Sequence, residues 1–141
     1  MGFFLTAAEV VTYLGTERAR NFTTDAGASP DTTVIDTEIN IAEGISSGYI
    51  VQRGDVPLPF DLLELPSLGS TLKGIVRDIA VYRLATRRPP VAEEWKKAHE
   101  DAFLWLAKFA KREITSPDIT AYSTIAASGG NDDAISTLRD T

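Results

Sequence analysis

The sequence predicts an all-α fold, a compact bundle of about four helices carrying an extended loop and a C-terminal tail. Three observations lead there. Apolar residues recur every three or four positions in three long segments, prolines and glycines punctuate the chain between them, and the helix-start signature Thr6-Ala7-Ala8-Glu9 stands near the N-terminus. A chain of 141 residues suits one domain able to bury roughly two thirds of the surface its unfolded form exposes.

In Thr6-Ala7-Ala8-Glu9 the threonine hydroxyl accepts from an orphan amide of the first turn while the glutamate reaches back to the cap. The short helix so started carries Val10, Val11 and Leu14 inward, and Gly15 is placed to stop it. Thr16 to Phe22 adds another turn or so with Ala19 and Phe22 inward, before Thr24-Asp25-Ala26-Gly27-Ala28-Ser29-Pro30 breaks the pattern.

Asp31 or Thr32 caps a longer helix from about Thr32 to Arg53, roughly 33 Å long at 1.5 Å per residue. Its apolar face is Ile35, Ile39, Ala42, Ile45 and Tyr49, and Gly54 ends it. Gly44 and Gly48 each cost up to ~1 kcal/mol relative to alanine inside a helix, so a compensating close approach is expected. A tight contact within the domain is favoured there over a contact between subunits.

Asp55-Val56-Pro57-Leu58-Pro59 cannot continue a helix, because proline lacks an amide and biases its predecessor to extended geometry. Pro66-Ser67 opens the next helix, whose stripe is Leu68, Leu72, Ile75, Ile79 and Tyr82 or Arg83, widened by Val76, Ala80 and Leu84. Arg87 and Arg88 sit where the helix dipole favours positive charge, and Pro89-Pro90 terminate the run. The last helix repeats Val91, Trp95, Ala98, Ala102, Trp105 or Leu106, and Phe109, and closes on Lys108, Lys111 and Arg112.

From Glu113 the chain turns to Thr, Ser, Gly, Asp and Asn. There Arg139 stands alone against Glu113, Asp118, Asp132, Asp133 and Asp140, so most of the net charge of -6 belongs to this stretch. Residues 1–114 therefore read as a helical domain and 115–141 as a tail, flexible or ordered on partners through Ile119, Tyr122 and Ile125.

No catalytic, cofactor or metal residues emerge. The absence of cysteine removes thiol nucleophiles, disulfides and zinc ribbons, and the single histidine, His99, sits mid-helix among charged neighbours. No glycine-rich phosphate loop, dinucleotide fingerprint or nucleophile elbow occurs, so an enzyme is not expected. No apolar run approaches the ~20 residues that span a bilayer, and no membrane partner is expected. The acidic balance disfavours broad wrapping of phosphate backbones. Lys73 and Arg77, then Arg83, Arg87 and Arg88, make one basic stripe, read first as a face paired with nearby acids and otherwise as a contact with an acidic neighbour or phosphate.

In order, the motifs resemble the small head-tail connector (adaptor or head-completion) subunits of tailed bacteriophages, of the phage Mu type. The segment from Leu5 to Gly15 is similar to the family's opening. Ile45 to Arg53 followed by Val56-Pro57-Leu58-Pro59 is similar to its second element, and Asp78-Ile79-Ala80-Val81-Tyr82-Arg83-Leu84 to its third. The final helix, from Trp95 to Ile114, resembles the family's through Ala102, Leu106 and Ala110. Gly54, Val81 and Arg112 depart from the pattern, with Arg112 in place of a usual glycine.

The resemblance implies a structural virion subunit at the head-tail interface, assembled in the host cytoplasm, without cofactor. Its implied partners are the portal protein, tail or stopper and tail-terminator proteins, and further copies of itself in a ring of about twelve. DNA would pass through the channel without sequence-specific binding. Candidate contacts are Gly44, Gly48, Arg53, Val56, Pro57, Leu58, Pro59, Lys73, Arg77, Arg87, Arg88, Ile119, Tyr122 and Ile125. Two readings compete with it: a helical DNA-binding or regulatory module built on the basic stripe, and a small hydrolase centred on His99.

Overall fold

The computed structural model describes residues 4–56 and 66–114, and these are all-α. Five helices follow in order: α1 (Ala7–Leu14), α2 (Thr16–Thr23), α3 (Thr32–Arg53), α4 (Pro66–Ala85) and α5 (Glu93–Ala110). Helices α3, α4 and α5 pack pairwise around the core, and α1 and α2 lie against α3 and α4.

The N-terminal capping box forms as expected, with the Glu9 amide donating to Thr6 Oγ1 at 3.2 Å and the Thr6 amide donating to Glu9 Oε1 at 3.1 Å. Gly15 takes a positive φ of 89°, which turns the chain sharply enough for α1 and α2 to be separate helices. This accounts for five helices where the periodicity suggested about four. Asp31 caps α3 by accepting from the Thr33 amide at 3.0 Å, and Gly54 closes it in the left-handed conformation. Pro66 occupies the first turn of α4, where its missing amide costs nothing. Glu93 and Glu94 lie in the first turn of α5, where the dipole favours acids.

The core is continuous across the helices. Val10, Ile35, Ile39, Ile50, Leu68, Leu72, Val76, Ile79, Leu84, Leu106 and Phe109 are fully buried. On α3 the buried stripe follows Ile35, Ile39, Ala42, Ser46, Ile50 and Arg53, whereas Ile45 and Tyr49 are only half-buried on its flank. Tyr49 still meets α5 edge-on through Phe103, with ring centroids 6.3 Å apart. A stripe containing a serine and an arginine is hidden from hydropathy, yet both are satisfied. Ser46 donates to the Ala42 carbonyl at 3.0 Å, and Arg53 is accounted for below.

Helix α5 stops at Ala110, earlier than the charge pattern suggested. The Arg112 amide bonds the Phe109 carbonyl at 3.0 Å and the Glu113 amide bonds the Lys108 carbonyl at 2.9 Å. That pair of bonds is a Schellman closure, and its left-handed position is Arg112 with φ 63°. Ile39 tests the packing: Ile39→Ala leaves a void between α3 and its neighbours, and a loss of about 3 kcal/mol is expected in urea unfolding, with the helical circular dichroism of the native state retained.

Candidate contact surface

Arg53 is only 6% exposed although it ends a helix. Its guanidinium lies over the Phe109 ring at 4.5 Å, and Trp105 stacks on Phe109 at 4.7 Å. Arg53 Nη1 donates to the Phe109 carbonyl at 2.9 Å and the Ile114 carbonyl at 2.8 Å, while Nε donates to Asp55 Oδ1 at 2.7 Å. In return Arg112 donates from Nε and Nη2 to the Arg53 carbonyl at 3.1 and 3.0 Å. Two helix ends thus exchange arginines. Arg112 supplies donors to the last carbonyl of α3, Arg53 adds a second donor to the Phe109 carbonyl that the Arg112 amide also bonds, and Asp55 balances the charge between them.

Arg112 holds a left-handed backbone at a cost of roughly 1–2 kcal/mol, which a glycine would avoid. The departure from the connector pattern at this position therefore has a physical counterpart, because only a long donor side chain reaches the end of α3. The corner so built is the root of both segments that the sequence marked for partners. Val56, buried, leads into 57–65, and Ile114, held by Arg53, leads into 115–141. Pro57, Leu58, Pro59, Ile119, Tyr122 and Ile125 lie outside the described residues.

The basic stripe is turned to internal work. Lys73 bonds Glu9 at 2.6 Å and ties α4 to the capping box of α1. Arg77 pairs with Asp78 at 3.1 Å and lies over the Tyr13 ring at 4.2 Å. Arg83 pairs with Glu38 on α3, Arg87 donates to the Phe22 carbonyl of α2 at 2.8 Å, and Arg88 pairs with Asp25 just beyond α2. The stripe is a seam that docks α1, α2 and α3 onto α4. Lys73 holds the Glu9 carboxyl below the usual glutamate range, against an opposing push from desolvation and with further help from Thr6. Burial pushes the Asp78 carboxyl up, and Arg77 beside it opposes that.

His99 stacks on Tyr82 of α4 at 4.0 Å and tilts against Phe103 at 4.8 Å. Desolvation lowers its pKa, with Glu100 acting to raise it and Arg83 to lower it. Trp95, one turn before His99 on α5, packs edge-on to Phe22 at 5.5 Å and under Arg18. His99, Tyr82 and Phe103 line a half-open cavity of about 460 Å³ with Glu38, Arg83 and Arg87. Its carboxylate and one of its arginines are bonded to each other. Among the described residues, no three histidine or acidic side chains converge where a metal ion could be held, and no helix is long and apolar enough to cross a membrane.

Gly44 and Gly48 overturn the expectation of a tight internal contact. A β-carbon at either position would meet nothing within 4 Å. Both are exposed, on the outer side of α3 beside Ile41 and Val51. Sequence reasoning also missed Asp55, whose role depends on two arginines far apart in the chain, and Glu43, which is buried on α3 and accepts from the Phe4 amide. Only the unusual basic residue closing α3 hinted at the first.

A family model described as Bacteriophage Mu, Gp36 matches residues 4–132. No curated protein and no solved structure matches the chain. The family match extends beyond the stretch of resemblance, which ended at residue 114, and takes in the first part of the acidic tail.

Two outcomes test this geometry. Arg53→Met removes a donor from Asp55 and from the carbonyls of Phe109 and Ile114, and is expected to cost about 3 kcal/mol in denaturant unfolding. The Glu9 carboxyl, depressed in the folded state, contributes stability above its unfolded pKa and loses it as pH falls through the folded one. The stability gap between wild type and Lys73→Gln is therefore expected at neutral pH and should close on acidification through the carboxylate range; a gap unchanged at low pH would mean that Lys73 acts through packing alone.

Proposed function

Because the chain belongs to the bacteriophage Mu Gp36 family, we propose that it is a structural virion subunit, a head-tail adaptor that joins the portal to the tail. In this reading it acts through interfaces and has no enzymatic activity. Its partners are the portal protein on one side, tail, stopper or tail-terminator proteins on the other, and further copies of itself in a ring around the DNA channel. It resides at the head-tail interface of the virion and in the host cytoplasm during assembly.

One observation carries the reading furthest. The family match runs from residue 4 through the helical core and onward to residue 132, so the helices and residues 115–132 fall under one family model. The geometry supports it, because the Arg53–Asp55–Arg112 clasp brings the roots of the proline segment and the tail to one rigid corner. A partner touching both segments would meet a preset spacing rather than two independent strands.

The DNA-binding alternative is weakened by the seam on α4. Lys73, Arg77, Arg83 and Arg88 are paired with carboxylates, and Arg87 with a backbone carbonyl, so a phosphate must break those contacts before it gains new ones. For the hydrolase alternative, His99 is stacked on Tyr82, tilted against Phe103, and shows no hydrogen bond to an orienting carboxylate among the described residues.

Purified full-length protein mixed with portal rings is expected to co-sediment with them, and particles made without it should contain DNA but fail to join tails. In a filter assay the protein alone should retain little DNA, with a shallow dependence on salt. Tail joining in its absence, together with no portal association, would defeat the adaptor reading; tight DNA retention that falls steeply with salt would favour the alternative.

A further inference from the structure

Nearly every cation of the helical domain is matched inside it. Among the described residues, each arginine and Lys73, Lys96 and Lys97 meet a carboxylate, a carbonyl or an aromatic ring. Lys108 and Lys111 meet none of these. Both are exposed, and with Leu104 they follow the outer side of α5 to its end at spacings of four and three residues. Leu104 is itself 55% exposed. Residues 102–112 hold Lys108, Lys111 and Arg112 without one acid, whereas Glu93, Glu94, Glu100 and Asp101 all lie in the first half of the helix. The helix dipole accounts for lysines near the end of α5. It does not account for an uncovered leucine beside them.

We propose that the stretch after Ile114, residues 115–125, docks on this surface of its own chain, with Asp118 at the two lysines and Ile119 and Tyr122 over Leu104 and the half-buried Trp105. Charge points to this occupant. Residues 115–141 hold Asp118, Asp132, Asp133 and Asp140 against Arg139, opposite in sign to the end of α5. Position agrees, because Arg53 holds the Ile114 carbonyl at 2.8 Å and lies over Phe109, on which Trp105 stacks. The segment therefore starts alongside the surface that it is to cover.

Length agrees as well. Five residues from Ile114 to Ile119 extend to roughly 17 Å, more than the ~10 Å of helix between Leu104 and Lys111 at 1.5 Å per residue. An attached segment also works at an effective concentration of about millimolar, an advantage no separate molecule has. A phosphate backbone would use the lysines and leave Leu104 uncovered. A segment with isoleucine next to aspartate covers both.

Hydrogen exchange of the full-length protein at low ionic strength, read by mass spectrometry, tests this against a synthetic peptide of residues 115–132. Amides from Ile119 to Ile125 are expected to exchange about tenfold more slowly in the protein than in the peptide, and the difference should shrink as salt rises. Lys108→Glu/Lys111→Glu should remove this protection while α5 keeps its own, and adding Asp118→Lys should restore part of it. Leu104→Ser, at a side chain outside the buried core, should also weaken it.

Exchange at the peptide's rate in the wild type overturns the proposal, as does protection that survives either variant. Protection that appears only as protein concentration rises assigns the segment to a neighbouring copy and overturns it too. No portal or tail protein enters these measurements, so a failure here leaves the adaptor reading in place.

Discussion

The exchange of arginines between the ends of α3 and α5 is the constraint on which the rest of the architecture hangs. A helix of 22 residues and one of 18 finish side by side, and helix ends carry carbonyls with spare capacity for donors from outside the helix. A buried carbonyl left without a donor would be costly. Arg53 and Arg112 supply the donors crosswise, and Asp55 keeps the cluster from holding two uncompensated cations. The stacking of Arg53 on Phe109 lets a charged group end a buried stripe without interrupting the packing.

The two N-terminal helices are held by a different device. Helices α1 and α2 are short, only eight residues each, too short to persist alone. They are fastened to α4 by Lys73, Arg87 and Arg88, at a capping glutamate, a helix-terminal carbonyl and a loop aspartate. The basic stripe of α4 thereby serves the fold before it can serve any ligand. Such partly exposed ion pairs are individually weak, but they are directional, and they orient small helices that have little apolar surface of their own.

These two fastenings divide the surface into zones with different duties. The corner beyond Arg53 emits both segments that the sequence sets apart for partners. The α4 seam is occupied internally, and the outer face of α3 is left free of charge because Glu38 and Glu43 are engaged on the inner side.

The amino-acid order by itself determined the helical class, the breaks at Gly15, Gly54 and Pro89-Pro90, the capping box at Thr6 and Glu9, and most of the core, because these depend on neighbours within a few positions. It also determined the family likeness, which lies in the succession of short motifs. The register of the buried stripe past Ala42 was not legible, since Ser46 and Arg53 look polar until partners from Ala42, Phe109 and Ile114 are in place. Nor was the vacancy beside Gly44 and Gly48, because a glycine reads the same whether a neighbouring backbone approaches it or solvent does. Only tertiary structure decided these, for a physical reason: the sign of burying an arginine, and the purpose of a glycine, depend on atoms that the chain brings near from more than fifty residues away or, at the α3 face, brings from nowhere within the subunit.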